Sequence, residues 1–115
     1  MTAVNYNIIC EQGATFKRNI LYKSDNNLPI NLTGYTARMQ VRNDYSSPTF
    51  ITELTTENGR IALGGVNGTI DLTIPANLTT LFIAGVYIYD LELINNSDVY
   101  RLIQGTFTVN AEVTK

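Results

Sequence analysis

Two stretches of the chain decide its fold: GVYIYDLELI, residues 85–94, and VYRLIQGTFTV, residues 99–109. Both are rich in β-branched and aromatic residues, and the polar segment Asn95-Asn96-Ser97-Asp98 lies between them. Two such segments around a short polar connection are typical of an antiparallel hairpin. We therefore expect this hairpin to supply a large part of the core.

The length of the turn sets the register of the hairpin. A two-residue turn at Asn96-Ser97 would place Glu92 opposite Arg101, but it would leave two tyrosines opposite polar side chains, Tyr87 with Thr106 and Tyr89 with Gln104. A three-residue turn, Asn96 to Asp98, gathers the large apolar groups on one face: Tyr87 with Phe107, Tyr89 with Gly105, and Leu91 with Ile103. A shift by one residue would turn that face outward, whereas a surface ion pair contributes less than about 1 kcal/mol. We predict the three-residue turn.

Short segments with a period of two recur along the rest of the chain, separated by clusters of turn residues. The strand-like segments are Tyr6 to Cys10, Ala14 to Lys23, Tyr35 to Arg42, Thr49 to Thr56, Ile61 to Leu63 and Thr69 to Ile74. Asn58-Gly59 carries the sequence signal of a hairpin turn. This spacing of strands predicts an all-β sandwich rather than βαβ units, and 115 residues predict a single domain over residues 1–115.

One segment has a helical pattern. Pro75 ends the strand before it, and Ala76 to Ala84 places Leu78, Leu81 and Phe82 at helical spacing. Because it is only a turn or two long and Gly85 follows it, we interpret it as a helical crossover that plugs one end of the sandwich.

The composition excludes several classes of function. The chain has 8 basic and 10 acidic side chains, a net charge of −2, and therefore no basic field that would attract nucleic acid. It has no histidine and a single cysteine, Cys10, so an internal disulfide and a cysteine-based metal site are excluded. We expect no membrane span and no secretory signal. Charged residues make up only 16% of the chain, which indicates a protein that functions within an assembly.

Paired carboxylates are the strongest catalytic candidates. Asp90 and Glu92 lie two apart on the polar face of the hairpin, which places them roughly 6–7 Å apart, within the range that glycosidases use. Asp71 and Glu53 lie on polar faces of other strands. A solvated or subunit-facing strand edge explains these residues better, since nothing in the sequence predicts a pocket or a raised pKa around them.

The polar and glycine-rich turns offer no better site. Ser24-Asp25-Asn26-Asn27 and Asn95-Asn96-Ser97-Asp98 each supply one carboxylate and lack the EF-hand spacing. Gly64-Gly65-Val66-Asn67-Gly68 lacks the Lys-Ser/Thr pair of a P-loop. Most of the seven tyrosines fall at inward positions, with Tyr45 folding back from its loop. We therefore expect no catalytic, cofactor-binding or metal-binding residue, and no enzyme.

The edges of a strand-rich chain are expected to be covered, since bare edges invite aggregation. We expect the segment from Tyr6 to Cys10, or the tail from Asn110 to Lys115, to contact another subunit. Arg18 falls on an apolar face and is expected to reach the rim or to find a partner.

Five segments carry a resemblance to small proteins and domains of tailed bacteriophages. They are residues 13–18 (GATFKR), 29–42 (PINLTGYTARMQVR), 68–70 (GTI), 89–93 (YDLEL) and 105–109 (GTFTV). The chain resembles an immunoglobulin-like virion domain, similar to the N-terminal domain of siphophage baseplate upper proteins and to small tail, neck or head-decoration proteins. Unlike the longer baseplate proteins, it has no coiled coil or receptor-binding module before Lys115.

The resemblance implies a non-enzymatic structural protein of the virion, assembled in the host cytoplasm, that acts as a baseplate, tail or neck adaptor or as a capsid decoration subunit. Its implied partners are other virion proteins and further copies of itself in a symmetric assembly, with no nucleic acid, membrane or cofactor. The alternative is a module of a tail fibre that binds carbohydrate or the host surface, which an exposed row of aromatic residues would favour. A small hydrolase that uses Asp90 and Glu92 is the third possibility.

Overall fold

The computed structural model describes residues 3–114 and is built mainly of β-strands in two sheets. The two sheets agree with the predicted all-β sandwich. The strands are β1 (Val4–Asn5), β2 (Ile8–Glu11), β3 (Phe16–Leu21), β4 (Thr36–Arg42), β5 (Thr52–Thr55), β6 (Ile61–Leu63), β7 (Thr69–Ile74), β8 (Gly85–Asn95) and β9 (Asp98–Asn110), with a short helix, α1 (Ala76–Thr79), between β7 and β8.

The larger sheet has the order β1-β9-β8-β4-β5, and β2 continues β1 along the same edge of β9. Its first two strands run parallel to β9, whereas all its other pairs are antiparallel. The smaller sheet has the order β3-β7-β6 and is antiparallel throughout. The β8–β9 hairpin therefore lies in the middle of the larger sheet, and both of its sides are paired.

The core consists of the inward residues of both sheets. Burial alternates along β4, β7 and the middle of β8, so that every second residue of these strands is turned into the core. The rings of Phe16 from the smaller sheet and Phe107 from the larger one meet with their centroids 5.8 Å apart. The two sheets thus share one continuous core cluster.

The hairpin uses both of the registers that the sequence allows. Below its tip the pairs are those predicted for the three-residue turn, Tyr87 with Phe107, Tyr89 with Gly105 and Leu91 with Ile103. At the tip Asn95 pairs with Asp98 and Glu92 with Arg101, which is the register of a two-residue turn. The predicted three-residue turn is therefore wrong, although the core pairing that it was meant to secure is confirmed.

A β-bulge between the two sections reconciles the registers. The shift falls after Leu91, and it leaves Leu102 as the extra residue of β9. Leu102 and Ile103 are consecutive and both buried, which a regular strand would not allow. The turn can then stay tight, with Asn96 in the left-handed region that asparagine tolerates (φ 58°).

The predicted helix from Ala76 to Ala84 is too long. Helix α1 ends at Thr79, and tighter turns continue to Phe82, where the amide of Phe82 donates to the carbonyl of Thr79 (3.1 Å). The hydroxyl of buried Thr79 donates to the carbonyl of Ala14 (2.8 Å), which ties the crossover to the chain before β3. Phe82 is buried as expected, but Leu81 points into solvent with 73% of its surface exposed.

Asn58-Gly59 does not join a hairpin, which corrects a second expectation. The strands on its two sides, β5 and β6, belong to different sheets. The side-chain oxygen of Asn58 accepts from the amides of Thr55 and Arg60 (3.0 Å each), and its amide group donates to the carbonyl of Glu53 (3.0 Å). These bonds let Asn58 hold the bend that carries the chain from one sheet to the other.

Arg18 covers the side of the sandwich where β2 and β3 face each other. Its Nη2 donates to the carbonyl of Ile9 (3.1 Å), and its guanidinium lies over the ring of Phe16 at 5.3 Å. The partner that its inward position requires is thus found for Nη2 only, because the buried Nε has no hydrogen-bond partner within residues 3–114. The segment from Tyr6 to Cys10, expected to contact another subunit, pairs with β9 of the same chain and buries Ile8 and Cys10 in the core.

Tyr89 crosses over β9 at Gly105. These two residues are directly paired, and the Tyr89 hydroxyl donates to the carbonyl of Tyr6 on the far side of β9. A Cβ at position 105 would lie 2.7 Å from that carbonyl oxygen and 2.7 Å from Oδ1 of Asn7. Glycine is needed here because the N-terminal segment approaches the backbone of β9 closely.

We predict that Gly105→Val destabilises the protein by about 1–3 kcal/mol through overcrowding, and Tyr89→Ala by about 3–5 kcal/mol through loss of a core aromatic. Because the ring passes over the glycine, the two changes should be coupled by more than about 0.5 kcal/mol. Chemical denaturation of both single variants and the double variant measures this coupling.

The matched pair for the hydroxyl group is Tyr89→Phe and Tyr45→Phe. Tyr89→Phe removes one buried hydrogen bond and should cost about 0.5–1.5 kcal/mol, whereas Tyr45 is 88% exposed and its change should cost less than about 0.5 kcal/mol. Additive free energies for the Gly105 and Tyr89 changes would contradict the close approach.

Candidate functional site

The outer face of the larger sheet carries a groove of about 400 Å³. We call it the polar groove. It is lined by β4, β8, β9 and the loop after β4: Arg38, Gln40, Arg42, Tyr45, Ile88, Tyr89, Asp90, Glu92 and Gln104. The alternation of β4 and β8 turns their polar residues to this face, and the strand order places the two strands side by side.

Arg42 fixes the loop that walls the polar groove. Its Nη1 donates to the carbonyl of Ser47 (2.8 Å) and its Nη2 to Oε1 of Gln40 (2.7 Å), while the guanidinium lies 5.9 Å from the ring centre of Phe50. Gln40 in turn donates to Oε2 of Glu53 on β5 (2.7 Å). One arginine therefore connects the loop to the floor of the groove and to the edge strand.

The structure brings three of the four candidate carboxylates to this face. Glu92 forms an ion pair with Arg38 (2.8 Å), Asp90 contacts Nε of Arg101 (3.3 Å), and Glu53 accepts from Gln40. Asp71 lies on the smaller sheet and accepts from the side chain of Asn19 (2.5 Å). The three carboxylates of the larger sheet are thus held in hydrogen bonds or ion pairs.

The pKa of the Asp90 carboxyl group is shifted. Partial burial, with help from the nearby charge of Glu92, raises its pKa above the usual 3.8, and Arg101, Arg38 and Arg42 oppose this rise. The three arginines reduce the rise in the pKa of Asp90 but do not reverse it. The arrangement is suited to accepting and donating hydrogen bonds across an open groove.

A second groove, of about 640 Å³, lies where β5 meets the crossover between β7 and β8. We call it the apolar groove. Its apolar lining consists of Phe50, Ile51, Leu78, Leu81, Phe82, Ile83 and Tyr87, and its polar lining of Asn43, Thr52, Glu53, Asn58 and Arg60. Leu81 and Ile83 are 73% and 79% exposed. The apolar groove therefore leaves two large apolar side chains open to solvent.

The remaining candidates are structural. Asn27 adopts a left-handed conformation (φ 64°) in the turn after Ser24, and residues 65–67 form a single 3-10 turn before Gly68. Among residues 3–114, no three His, Cys, Asp or Glu side chains come together as metal ligands would. No helix within this part of the chain is long and apolar enough to span a membrane.

Sequence reasoning missed Tyr45, which does not fold back but stands exposed at the rim of the polar groove. The alternation of Arg38, Gln40 and Arg42 signalled a polar face on β4. Nothing in the sequence showed that the following loop would fold onto that face, since this depends on the bonds of Arg42.

Comparison with models of known protein families gives no match, and comparison with curated proteins gives no similar sequence.

We predict that Cys10 is unreactive in the folded protein. It is fully buried, and burial together with the charge of Glu11 raises its pKa to about 11, against an opposing effect of Arg18. At neutral pH the thiolate fraction is then about 100-fold smaller than at the ordinary pKa of 9.0. Reaction with a chromogenic disulfide should be at least that much slower in native buffer than in concentrated guanidinium chloride. Equal rates would contradict the burial of this thiol.

We predict that Asp90 lowers the free energy of unfolding as the pH rises. A carboxyl group with a raised pKa in the folded state holds its proton more tightly there, so its stabilising contribution is present below the unfolded pKa and is lost as the pH rises through the folded pKa. The loss of stability should therefore begin near pH 3.8 and continue toward higher pH. Denaturation of the wild type and of Asp90→Asn across this window should show the wild type losing stability relative to the variant.

Asp25→Asn, in the exposed turn after Ser24, serves as the control for removal of one carboxylate charge. Parallel stability curves for the wild type and Asp90→Asn would show that the environment of Asp90 does not favour its protonated form.

Proposed function

We propose that this protein is a non-enzymatic structural subunit of a tailed-bacteriophage virion, an adaptor of the baseplate, tail or neck or a decoration subunit of the capsid, built on an immunoglobulin-like sandwich. It acts through contacts with other virion proteins and with further copies of itself.

Strand order supports the immunoglobulin-like topology. If β3 to β9 are lettered B, C, C′, D, E, F and G in chain order, the smaller sheet reads B-E-D and the larger sheet C′-C-F-G. These are the neighbours found in immunoglobulin-type sandwiches. The first strand adds to G, parallel to it.

A tyrosine corner supports the same topology. Such sandwiches carry a tyrosine near the start of strand F, whose hydroxyl bonds to the backbone a few residues upstream. Tyr87 is the third residue of β8, and its hydroxyl donates to the carbonyl of Ile83, four residues earlier, in the crossover that joins the two sheets. The disulfide of antibody domains has no counterpart, since the chain has one cysteine.

The apolar groove is the observation that carries the functional proposal. A structural subunit needs a surface whose burial by a neighbouring protein is favourable. Burial of apolar area stabilises such a complex by about 25 cal/mol per Å². Leu81 and Ile83 present such area in the lining of the groove, while the short strand β5 is the neighbouring free edge of the larger sheet. Both features favour the docking of another virion protein at this side of the sandwich.

We predict that Leu81→Asp combined with Ile83→Asp leaves the fold intact and removes the protein from the particle. Both side chains are mostly exposed, so the thermal midpoint should change little, whereas two buried charges would oppose docking. Mass spectrometry of purified particles, produced with the wild-type or the variant gene, measures the copy number.

Val66→Asp is the matched control, because Val66 is 66% exposed and lies on the smaller sheet's side, outside the groove. It should be incorporated at the wild-type level. A wild-type protein absent from purified particles would overturn the virion assignment, and full incorporation of the double variant would overturn the role of the apolar groove.

A further inference from the structure

We propose that the polar groove is a binding site for a neutral, hydroxyl-rich ligand, a mono- or disaccharide. The proposal does not rest on the function proposed above, because the polar groove and the apolar groove share no lining residue. It rests on the free hydrogen-bonding groups of the floor, the aromatic rim, the balance of charge and the size of the groove.

The floor is a row of three polar side chains on adjacent strands. Gln40 on β4 pairs with Asp90 on β8, which pairs with Gln104 on β9. Within residues 3–114 the side-chain amide of Gln104 has no hydrogen-bond partner, and Asp90 contacts only Arg101 through one oxygen. The row therefore offers a free amide and a free carboxylate oxygen side by side, which can donate to and accept from neighbouring hydroxyl groups.

The rim supplies an aromatic surface that is already positioned. Tyr45 is 88% exposed and lines the groove. Its loop is held by Arg42 through the carbonyl of Ser47, and Asp44 accepts from the amide and hydroxyl of Ser46 (3.0 Å each). A ring with an apolar face and a polar tip can cover the C–H face of a sugar while its hydroxyl bonds to the edge. A loop fixed beforehand loses less entropy on binding.

The charges favour a neutral ligand. Two arginines, Arg38 and Arg42, and two carboxylates, Asp90 and Glu92, line the groove, so its formal charge is zero. Arg38 is neutralised by Glu92 at 2.8 Å, and Arg42 is occupied by Ser47 and Gln40. A phosphate or sulfate would find no free cation, and a cationic ligand no cluster of free carboxylates. A volume of about 400 Å³ lies within the range of small-molecule sites.

The test is two-dimensional NMR of the ¹⁵N-labelled protein with a panel of neutral sugars, among them glucose, galactose, mannose, N-acetylglucosamine and their common disaccharides. Each sugar is added to about 10 mM, so that a dissociation constant in the millimolar range is detected. We expect one or more sugars to shift the amides around Tyr45, Asp90 and Gln104, whereas N-acetylneuraminic acid and heparin fragments leave them unchanged.

Two variants test separately how much the rim and the floor of the polar groove contribute to sugar binding. Tyr45→Ala should weaken binding at least tenfold without changing the thermal midpoint, since the ring makes no buried contact. Gln104→Ala should weaken it by a similar factor, with a wild-type spectrum elsewhere confirming the fold. Tyr100→Ala, a tyrosine 41% exposed near the hairpin tip and outside the groove, should bind as the wild type does.

The proposal would be overturned by the absence of shifts with every neutral sugar, by shifts confined to residues outside the groove, or by unchanged affinity in Tyr45→Ala. Preferential shifts with the anionic ligands would assign the groove to a different chemistry and would overturn it as well. Because Leu81→Asp with Ile83→Asp alters the other groove, it should retain sugar binding, and the two proposals can fail separately.

Discussion

The pairing of β8 with β9 is the constraint on which the rest of the structure depends. The larger sheet is built outward from both sides of this hairpin. On one side β4 pairs with β8, and on the other side β1 and β2 pair with β9. A shift in its register would exchange inward and outward residues on both strands at once. It would remove Phe107 from the core and Asp90 from the polar groove in the same step. The backbone hydrogen bonds between β8 and β9 therefore determine both which residues form the core and which residues line the polar groove.

Hydrophobic alternation was enough to predict the faces of the strands, because burial of apolar area is the largest favourable term. It predicted the pairs Tyr87 with Phe107 and Leu91 with Ile103 correctly. It could not predict the bulge at Leu102, since a bulge lets the turn and the core each take their preferred register. The three-residue turn was predicted wrongly because a single register was assumed for the whole hairpin. The position of the crossover was equally hidden from local patterns, because the bond that ties Thr79 to Ala14 joins residues 65 positions apart.

The candidate site was predictable only in part. Asp90 and Glu92 could be placed on one polar face from their spacing, and Arg38, Gln40 and Arg42 on another. These two faces are neighbours because β4 pairs with β8. The order of strands in a sheet cannot be predicted from local sequence patterns. The exposed position of Tyr45 depends on a loop held by one arginine, and loops are the least regular part of any such chain. The apolar groove has the same origin, since it forms between segments distant in sequence, Phe50 to Ile51 and Leu78 to Ile83.

The parallel addition of the first strands to the last one determines when the chain can complete its fold. Val4 pairs with Ile103 and Glu11 with Asn110, so the partners are separated by 99 positions. During synthesis Ile8 and Cys10 are made 99 residues before their partners in β9, and until then these core residues have no sheet to join. Contacts between such distant residues slow folding, because a long loop must close before they form. Folding on the ribosome should therefore remain incomplete until β9 has emerged, and the early segment needs protection from other chains in the meantime.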